Sequence, residues 1–393
     1  MLEKFLLVLL AVFLLHGLRL LSRRLEDEER SPRLERAARI PRDRKAWPRV
    51  SIVVPARNEE THLETCLSFL TRLDYEPLEI LVVDDRSTDR TAEIAGRHAG
   101  KDPRLRVIPG EETPAGWTGK NYAIHQGACR AGGDYLLIVD ADTVLKRDTL
   151  KRSISYMEEE KVDLLTLYPR AVCASFWEKT LMPWLGVLSV FRMDRVNDPG
   201  RKEAMAFGYF LLFRRASFDR LGGYESIRGR VGEDWVIARR VKQAGLRLRM
   251  LLGAKNVTKR FGPSFAEIWQ GFTKNFILIM EGRRAVALLA APLMLYYLLF
   301  TVLPWVLLLA SPAAMLAVGD KAAWLAILLL AALQIAVMGA VRSLLRCFLH
   351  VEVSAPYLQP LGGLVITAMG FTGIYRTLRG KGIRWRGREY RKF

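Results

Sequence analysis

The stretch "VSIVVPARNEETHLETCLSFLTRLDYEPLEILVVDD", Val50 to Asp85, decides the fold. "VSIVVPA" is an unbroken apolar run of strand length, "NEETHLETCLSFLTRL" has helical periodicity, and "LEILVVDD" is a second apolar run. The alternation continues outward. "STDRTAEIAGRHAG" (Ser87–Gly100) reads as a helix that Ser87 or Asp89 caps, and "LRVIPG" (Leu105–Gly110) as a third strand. "NYAIHQGACRAG" (Asn121–Gly132) and "YLLIVDAD" (Tyr135–Asp142) add a helix and a fourth strand. Strands made of continuous Val, Ile and Leu, separated by amphipathic helices, predict a parallel sheet covered on both faces. This is a doubly wound α/β domain, in which ligands sit beyond the carboxyl ends of the strands. Those ends carry Arg57-Asn58-Glu59, Asp84-Asp85, and Asp140 with Asp142, an acidic and amide-rich set suited to a metal and a nucleotide. No G-x-G-x-x-G follows the first strand, which argues against a dinucleotide site.

"PAGWTGKNYAIHQG" (Pro114–Gly127) holds a Gly-Lys pair in a turn before a helix. It is not a phosphate-binding P-loop. The position needing the first glycine is Pro114, and the position needing Ser or Thr after Lys120 is Asn121. The stretch instead precedes the strand that ends in Asp140 and Asp142. There Lys120 can reach a donor phosphate or pair with nearby carboxylates.

The chain has 393 residues, half of them apolar, and a formal net charge of +19. Its first twenty residues are almost continuous Leu, Val and Phe, and long apolar runs return after Arg284. Such runs match the roughly 20 residues that cross a bilayer. The N-terminal run lacks a clear small-x-small cleavage site, so a retained anchor is expected over a cleaved signal peptide. Residues 22–49 carry ten Lys or Arg, and the tail "RTLRGKGIRWRGREYRKF" is equally basic, which places both on the cytoplasmic side. Two C-terminal crossings satisfy that arrangement. The short, Gly-rich "PLGGLVITAMGFTGIY" (Pro360–Tyr375) then becomes a re-entrant or interfacial segment. Because many positive charges flank the apolar spans, anionic lipid explains the charge better than nucleic acid does. Cys66, Cys129, Cys173 and Cys347 form no CxxC pair and fit a reduced cytosolic domain.

Three acidic groups carry chemistry. Asp140 and Asp142, at i and i+2 where a buried strand ends, can converge on one Mg²⁺ or Mn²⁺. Asp84 and Asp85 end the neighbouring strand. They suit a nucleobase N–H and a ribose or metal, or belong simply to the capping of the next helix. Glu233 and Asp234 open a helix after Gly229 and Gly232; there a carboxylate is stabilised by the helix dipole, or acts as general base toward a hydroxyl.

Five stretches occur in order: "SIVVPARNEE", "LEILVVDDRSTDRT", "DYLLIVDADTVL", "FDRLGGYES" and "GEDWVIARRVKQAG". Together they resemble the family-2 glycosyltransferases of GT-A fold, over about Ser51 to Gly245. "GWTGKNYA", the C-terminal spans and "RWRGREY" are similar to the members that glycosylate hydrophobic acceptors, among them ceramide, hopanoid and carotenoid glycosyltransferases. The resemblance implies a GT-A doubly wound, mostly parallel, Rossmann-like sheet and an inverting, single-displacement transfer from a UDP- or GDP-sugar. It implies that Pro55, Arg57 and Glu59 line the first-strand nucleotide site and that Asp84 and Asp85 bind the nucleoside. Asp140 and Asp142 would form the DxD that holds Mg²⁺ or Mn²⁺ on the donor diphosphate. Asp234 would be the catalytic base, with Glu233 beside it.

The chain departs from the family where processive and ceramide-type members carry QxxRW. "FAEIWQGFTKNFILIM" has Gln270, Lys274 and Asn275 but no Arg-Trp. Trp385 and Arg386, or Lys274, are the candidates for covering the diphosphate, and polymer synthesis is disfavoured. "FWEKTLMPWLGVLSVFRM" (Phe176–Met193) reads as an interfacial helix, or as a core helix.

The expected organisation is an anchor at 1–21, a basic linker at 22–49, a cytoplasmic catalytic domain at 50–284, a membrane region at 285–375 and a basic tail at 376–393. A lipid acceptor and a multi-pass protein of the plasma membrane follow. Alternatives are transfer to a polyprenyl phosphate, nucleotidyl transfer, or a non-catalytic membrane scaffold.

Overall fold

Val50 to Val54 and Ile80 to Val83 are buried without exception, as strands covered on both faces require. They belong to a computed structural model that describes residues 1–41, 46–190, 193–262, 264–317, 320–349, 356–385 and 388–390. The chain divides into two units. One comprises Ser31–Ala171 and Arg192–Arg260; the other comprises Met1–Arg30, Val172–Phe191 and Phe261–Arg391.

The first unit is built on strands β1 (Val50–Ala56), β2 (Leu78–Asp84), β3 (Leu105–Pro109), β4 (Tyr135–Ile138) and β5 (Thr143–Leu145). They are followed by β6 (Leu164–Tyr168), β7 (Arg170–Ala171), β8 (Leu211–Arg214), β9 (Leu248–Leu252) and β10 (Val257–Lys259). Seven of them form one sheet in the order β3-β2-β1-β4-β8-β6-β9. All its pairings are parallel except those of β8, which runs antiparallel to β4 and β6. The doubly wound, mostly parallel α/β fold expected from the sequence is therefore present. A second sheet, β5-β10-β7, sets β10 antiparallel to β5 with Lys259 opposite Thr143.

The helix Gly119–Arg130 packs on β1 and β2 through Gly127, where a Cβ would stand only 3.1 Å from Val83 and closer still to Val53. The helix expected over 58–73 is confined to Leu63–Leu70, because Asn58 takes φ +53° and opens a turn. At the amino ends of the strands, Glu79 accepts from Ser51 Oγ at 2.6 Å and Gly132 N at 2.7 Å, and it pairs with Arg106 at 2.8 Å. Burial would raise this carboxyl, but these partners outweigh burial and hold it below the ordinary range.

Ser31–Pro41 departs from the linker expected at 22–49. Leu34 is fully buried, and Leu252 N donates to Pro32 O at 2.8 Å, so this segment is part of the α/β unit. The first helix runs from Leu2 to Arg30 instead of ending near residue 21, since "LSRRLEDEER" is rich in strong helix formers.

The other unit holds four helices long and apolar enough to cross a membrane, by length and composition: Leu2–Arg23, Arg284–Ala317, Lys321–Leu344 and Gln359–Leu378. The last covers Pro360–Tyr375, expected as a re-entrant or interfacial segment, and is one unbroken helix. Its glycines serve close packing. A Cβ at Gly363 would collide with Thr301, one at Gly370 with Met294, and one at Gly373 would lie 3.0 Å from Phe276 Cβ. Phe13 meets Tyr296 and Phe300 edge-on, with centroids 5.5 and 5.6 Å away. Helices Phe176–Val190 and Phe265–Ile279, which the sequence reading placed inside the 50–284 domain, group with these membrane-type helices.

Candidate active site

The carboxyl ends of β1, β2 and β4 bring the sequence-predicted residues of the α/β unit into one region. Pro55 lies in β1 beside Val83 of β2, and Asp84 is the last residue of β2. Arg57 Nη1 donates to Asp85 at both its backbone oxygen (3.2 Å) and Oδ2 (3.3 Å), and Asp85 N donates to Ala56 O at 2.8 Å. Glu59 is buried, and its N–H donates to Thr91 Oγ1 at 2.7 Å. Asp84 Oδ1 accepts the N–H of Ser87 at 3.3 Å. Asp89 accepts from Thr91 at both its N–H (3.0 Å) and its hydroxyl (2.6 Å). The helix Thr91–Ala99 nonetheless starts from Arg90 with no side-chain cap, contrary to the expectation for Ser87 or Asp89, and Ser87 Oγ accepts from Asn58 N at 3.0 Å.

At the turn after β4, a network of charge forms. Lys120 Nζ lies 2.8 Å from Asp140 Oδ1 and 2.8 Å from Glu233 Oε1. Lys259 Nζ lies 3.1 Å from Asp140 Oδ2 and also pairs with Asp142 Oδ1. Burial would lower both ammonium groups, but the carboxylates outweigh it. Lys120 is held well above its ordinary value by Asp140 and Glu233, and Lys259 above it by Asp142 and Asp140. For Asp140 burial works upward, and the two lysines reverse it, holding the carboxyl far below the usual range. Asp234 sits next to this network, with Oδ2 accepting Gly208 N at 3.0 Å and Oδ1 accepting Trp235 N at 2.9 Å.

Glu233 and Asp234 begin the helix Glu233–Gln243, entered through Gly232 at φ +75°, a conformation that favours glycine. The preceding loop is held by Asn121. Its buried amide Nδ2 lies 3.0 Å from Ile227 O, 3.2 Å from Arg228 O and 3.0 Å from Arg230 O. Thr118 Oγ1 accepts from Asn121 N at 3.3 Å and caps the helix Gly119–Arg130, while Thr118 N donates to Arg228 O at 2.9 Å. "TGKN" is thus a clamp. Thr118 and Asn121 hold the Ile227–Arg230 loop, and Lys120 between them joins Asp140 to Glu233. Trp117 packs on its own helix, 4.9 Å from the His125 ring centroid.

Truncating the clamp gives one expected result. Asn121→Ala leaves the loop carbonyls short of a donor and lowers unfolding stability by about 1–3 kcal/mol. Thermal unfolding read beside the donor KM checks it. An unchanged melting temperature with an unchanged KM would show the clamp to be idle.

Sequence reasoning missed Lys259 and Gly208. A lone lysine near the end of a short strand carries no signal, and only the β5–β10 pairing sets Lys259 beside the Asp140–Asp142 turn. Gly208 is required by crowding, since a Cβ there would stand 2.9 Å from Lys120 Nζ and 3.3 Å from Glu233 Oε1. Gly208→Ala should therefore displace the Lys120 ammonium and reduce turnover about tenfold, with little change in melting temperature. Steady-state kinetics beside calorimetry test this, and full turnover would mean that Lys120 need not hold its position.

Trp385 ends the strand Ile383–Trp385 of the other unit, and Arg386 lies outside the described residues. Lys274 belongs to the helix Phe265–Ile279 of that unit. Cys66, Cys129 and Cys173 are free thiols, as expected, and burial pushes that of Cys66 upward.

A divalent cation fits the turn in part. Among the described residues no group of three or more His, Cys, Asp or Glu could hold a metal. Yet Asp140 and Asp142 already converge on one positive charge, the Lys259 ammonium. These hard oxygen donors suit Mg²⁺ or Mn²⁺ with the remaining ligands from water and phosphate.

Residues 51–222 match the family model Glycosyl transferase family 2. That region is thus similar to the family-2 glycosyltransferases. It holds Asp84, Asp85, Lys120, Asp140, Asp142 and Gly208, and it ends before Glu233. The chain is 26% identical over 252 residues to the 4,4'-diaponeurosporenoate glycosyltransferase of Staphylococcus aureus (strain USA300), covering 63% of this chain and 66% of that protein. It is 26% identical over 234 residues to the protein of the same name from Staphylococcus haemolyticus (strain JCSC1435), covering 58% and 60%. The matches thus span just under two thirds of those relatives' length. The fold is also that of the mannosyltransferase PcManGT from Pyrobaculum calidifontis. Its TM-score is 0.53 at 21% identity, with 96% of this chain and 99% of that one covered.

Proposed function

We propose that the family-2 domain transfers a sugar, with inversion, from a UDP- or GDP-sugar to the hydroxyl of a lipid acceptor. The observation that carries this reading is the Lys120 bridge, which ties the turn of Asp140 to the helix start that presents Asp234. The turn proposed to bind the donor and the helix start that carries the candidate base are thereby tied together.

Asp234 takes the proton of the acceptor hydroxyl as that oxygen attacks the anomeric carbon. The Gly208 N–H holds one carboxylate oxygen of Asp234 in place. Glu233 is engaged by Lys120, so it acts as a support for Lys120. Arg57 steadies Asp85 for the nucleoside, with Asp84, Pro55 and Glu59 nearby. Trp385, Arg386 and Lys274 remain the candidates for covering the diphosphate. Mg²⁺ or Mn²⁺, held by Asp140 and Asp142, would supply positive charge to the leaving diphosphate. PcManGT, of like fold, was solved with GDP-Man and Mn²⁺, a pairing in keeping with this reading.

Two features support the lipid acceptor. The relatives are named for diaponeurosporenoate, and the chain has four helices of membrane-crossing length and composition. The basic segments at 22–49 and 376–393 support a multi-pass plasma-membrane protein whose catalytic domain faces the cytoplasm. Nucleic acid has no part in this reading.

Membranes containing the chain, given a radiolabelled UDP- or GDP-sugar, should yield a labelled lipid that survives mild acid. A label released by mild acid would instead identify a lipid-phosphate sugar. Release of pyrophosphate rather than nucleoside diphosphate would replace sugar transfer by nucleotidyl transfer.

A further inference from the structure

We propose that Lys259 is a resident counter-ion of the Asp140–Asp142 turn, which a divalent cation displaces only together with a nucleoside diphosphate. The inference rests on the transferase reading above for the choice of nucleotide.

Of the four carboxylate oxygens on Asp140 and Asp142, three face an ammonium group. Asp140 Oδ1 faces Lys120, while Asp140 Oδ2 and Asp142 Oδ1 face Lys259. A metal bridging the two aspartates would need the oxygens Lys259 holds. Two cations cannot share them without strong repulsion at this separation. Lys259 is also firmly placed. It lies on β10, opposite Thr143 of β5 and beside Ala171 of β7, and the residue is only 8% exposed. Its ammonium lies 5.4 Å from the Tyr209 ring centroid, a face that favours a cation.

A bare divalent cation must therefore expel a well-seated ammonium from Asp140 and Asp142, the two carboxylates it pairs with among the described residues. A nucleoside diphosphate changes this balance, because its phosphates offer the displaced Lys259 a new partner while adding ligands to the metal. Metal and nucleotide then strengthen each other's binding, and linkage requires the effect to be reciprocal. Lys259 acts here as a positioning residue that sets the order of loading. After displacement its charge moves to the diphosphate.

The test uses the full chain in detergent, with Mn²⁺ titrated and its free form read by electron paramagnetic resonance. Titrations are run without nucleotide, with UDP and with GDP. Lys259→Met should bind Mn²⁺ alone about tenfold or more tightly than the wild type, and Lys259→Arg should behave as the wild type. The nucleotide that binds should tighten Mn²⁺ by a larger factor in the wild type than in Lys259→Met. A merely structural role would weaken binding, so the gain is diagnostic. Should Lys259→Met fail to fold by thermal unfolding, Lys259→Gln removes the same charge.

Equal or weaker Mn²⁺ binding by the folded neutral variant overturns the inference. Tight Mn²⁺ binding by the wild type without nucleotide overturns it as well. If UDP or GDP binds while the neutral variant leaves Mn²⁺ affinity unchanged, the inference falls and the transferase reading stands. If neither nucleotide binds, both fall.

Discussion

Asp234→Asn lowers sugar transfer by about 10²–10⁴-fold while nucleotide-sugar binding stays near that of the wild type. The asparagine side chain is nearly isosteric, and its oxygen can still accept the Gly208 N–H that Asp234 Oδ2 accepts at 3.0 Å. What it loses is the ability to take the acceptor proton. Geometry and donor site are thus preserved, and the loss falls on kcat. Initial rates with a radiolabelled donor, beside equilibrium binding of the same donor, separate the two. Full transfer by the variant would remove Asp234 from the role of base. A loss confined to a lipid-hydroxyl acceptor, with transfer to a lipid phosphate intact, would favour the phosphate-linked product, whose nucleophile is already ionised.

Asp140→Asn has the second large effect, and it reaches stability as well as activity. Asp140 is the shared partner of Lys120 and Lys259, at 2.8 and 3.1 Å. Neutralising it leaves two ammonium groups facing each other across a neutral amide. Breaking a paired, largely buried charge network by removing one partner costs about 3–5 kcal/mol, and the partial exposure of Asp140 brings the expectation toward the lower end. Transfer should fall at least about 10²-fold, since both the proposed cation site and the charge holding Lys120 are lost. Calorimetry and donor kinetics on the same preparation test both parts. A variant that is as stable as the wild type would mean that Glu233 and Asp142, which still face Lys120 and Lys259, suffice to hold them. The depressed Asp140 carboxyl adds a pH dependence with a definite sign. Its contribution to stability is fully present above the ordinary carboxylate range and is lost progressively as pH falls through that range toward the depressed folded value. Wild-type unfolding stability should therefore fall as pH drops through about 4 and below, more steeply than that of Asp140→Asn, which lacks this carboxyl.

The sheet was legible because burial on both faces imposes its own composition. Val50–Val54 and Ile80–Val83 read as strands because positions covered by helices on each side are mostly apolar, and the one polar exception, Ser51, is hydrogen-bonded to Glu79. The acidic residues at the carboxyl ends were legible for the complementary reason. They interrupt apolar runs at the place where a doubly wound sheet leaves a crevice. Glycine in isolation signals a break, yet the Gly-rich Gln359–Leu378 is one unbroken helix. Its glycines allow close contact with Thr301, Met294 and Phe276, which no local pattern announces. The docking of Leu34 likewise depends on partners distant in the chain.

By itself the sequence determined the doubly wound sheet, the apolar helices and the identity of the carboxylates, since each follows from local periodicity or residue type. Only the tertiary structure decided how those carboxylates are partnered. Lys120 faces Glu233 across more than a hundred residues of chain, and Lys259 reaches the Asp140 turn through the β5–β10 pairing. Charge pairing acts over a few ångströms of space whatever the separation in sequence. The carboxylates were therefore readable from their spacing, with Lys120 as a possible partner, and Lys259 was not.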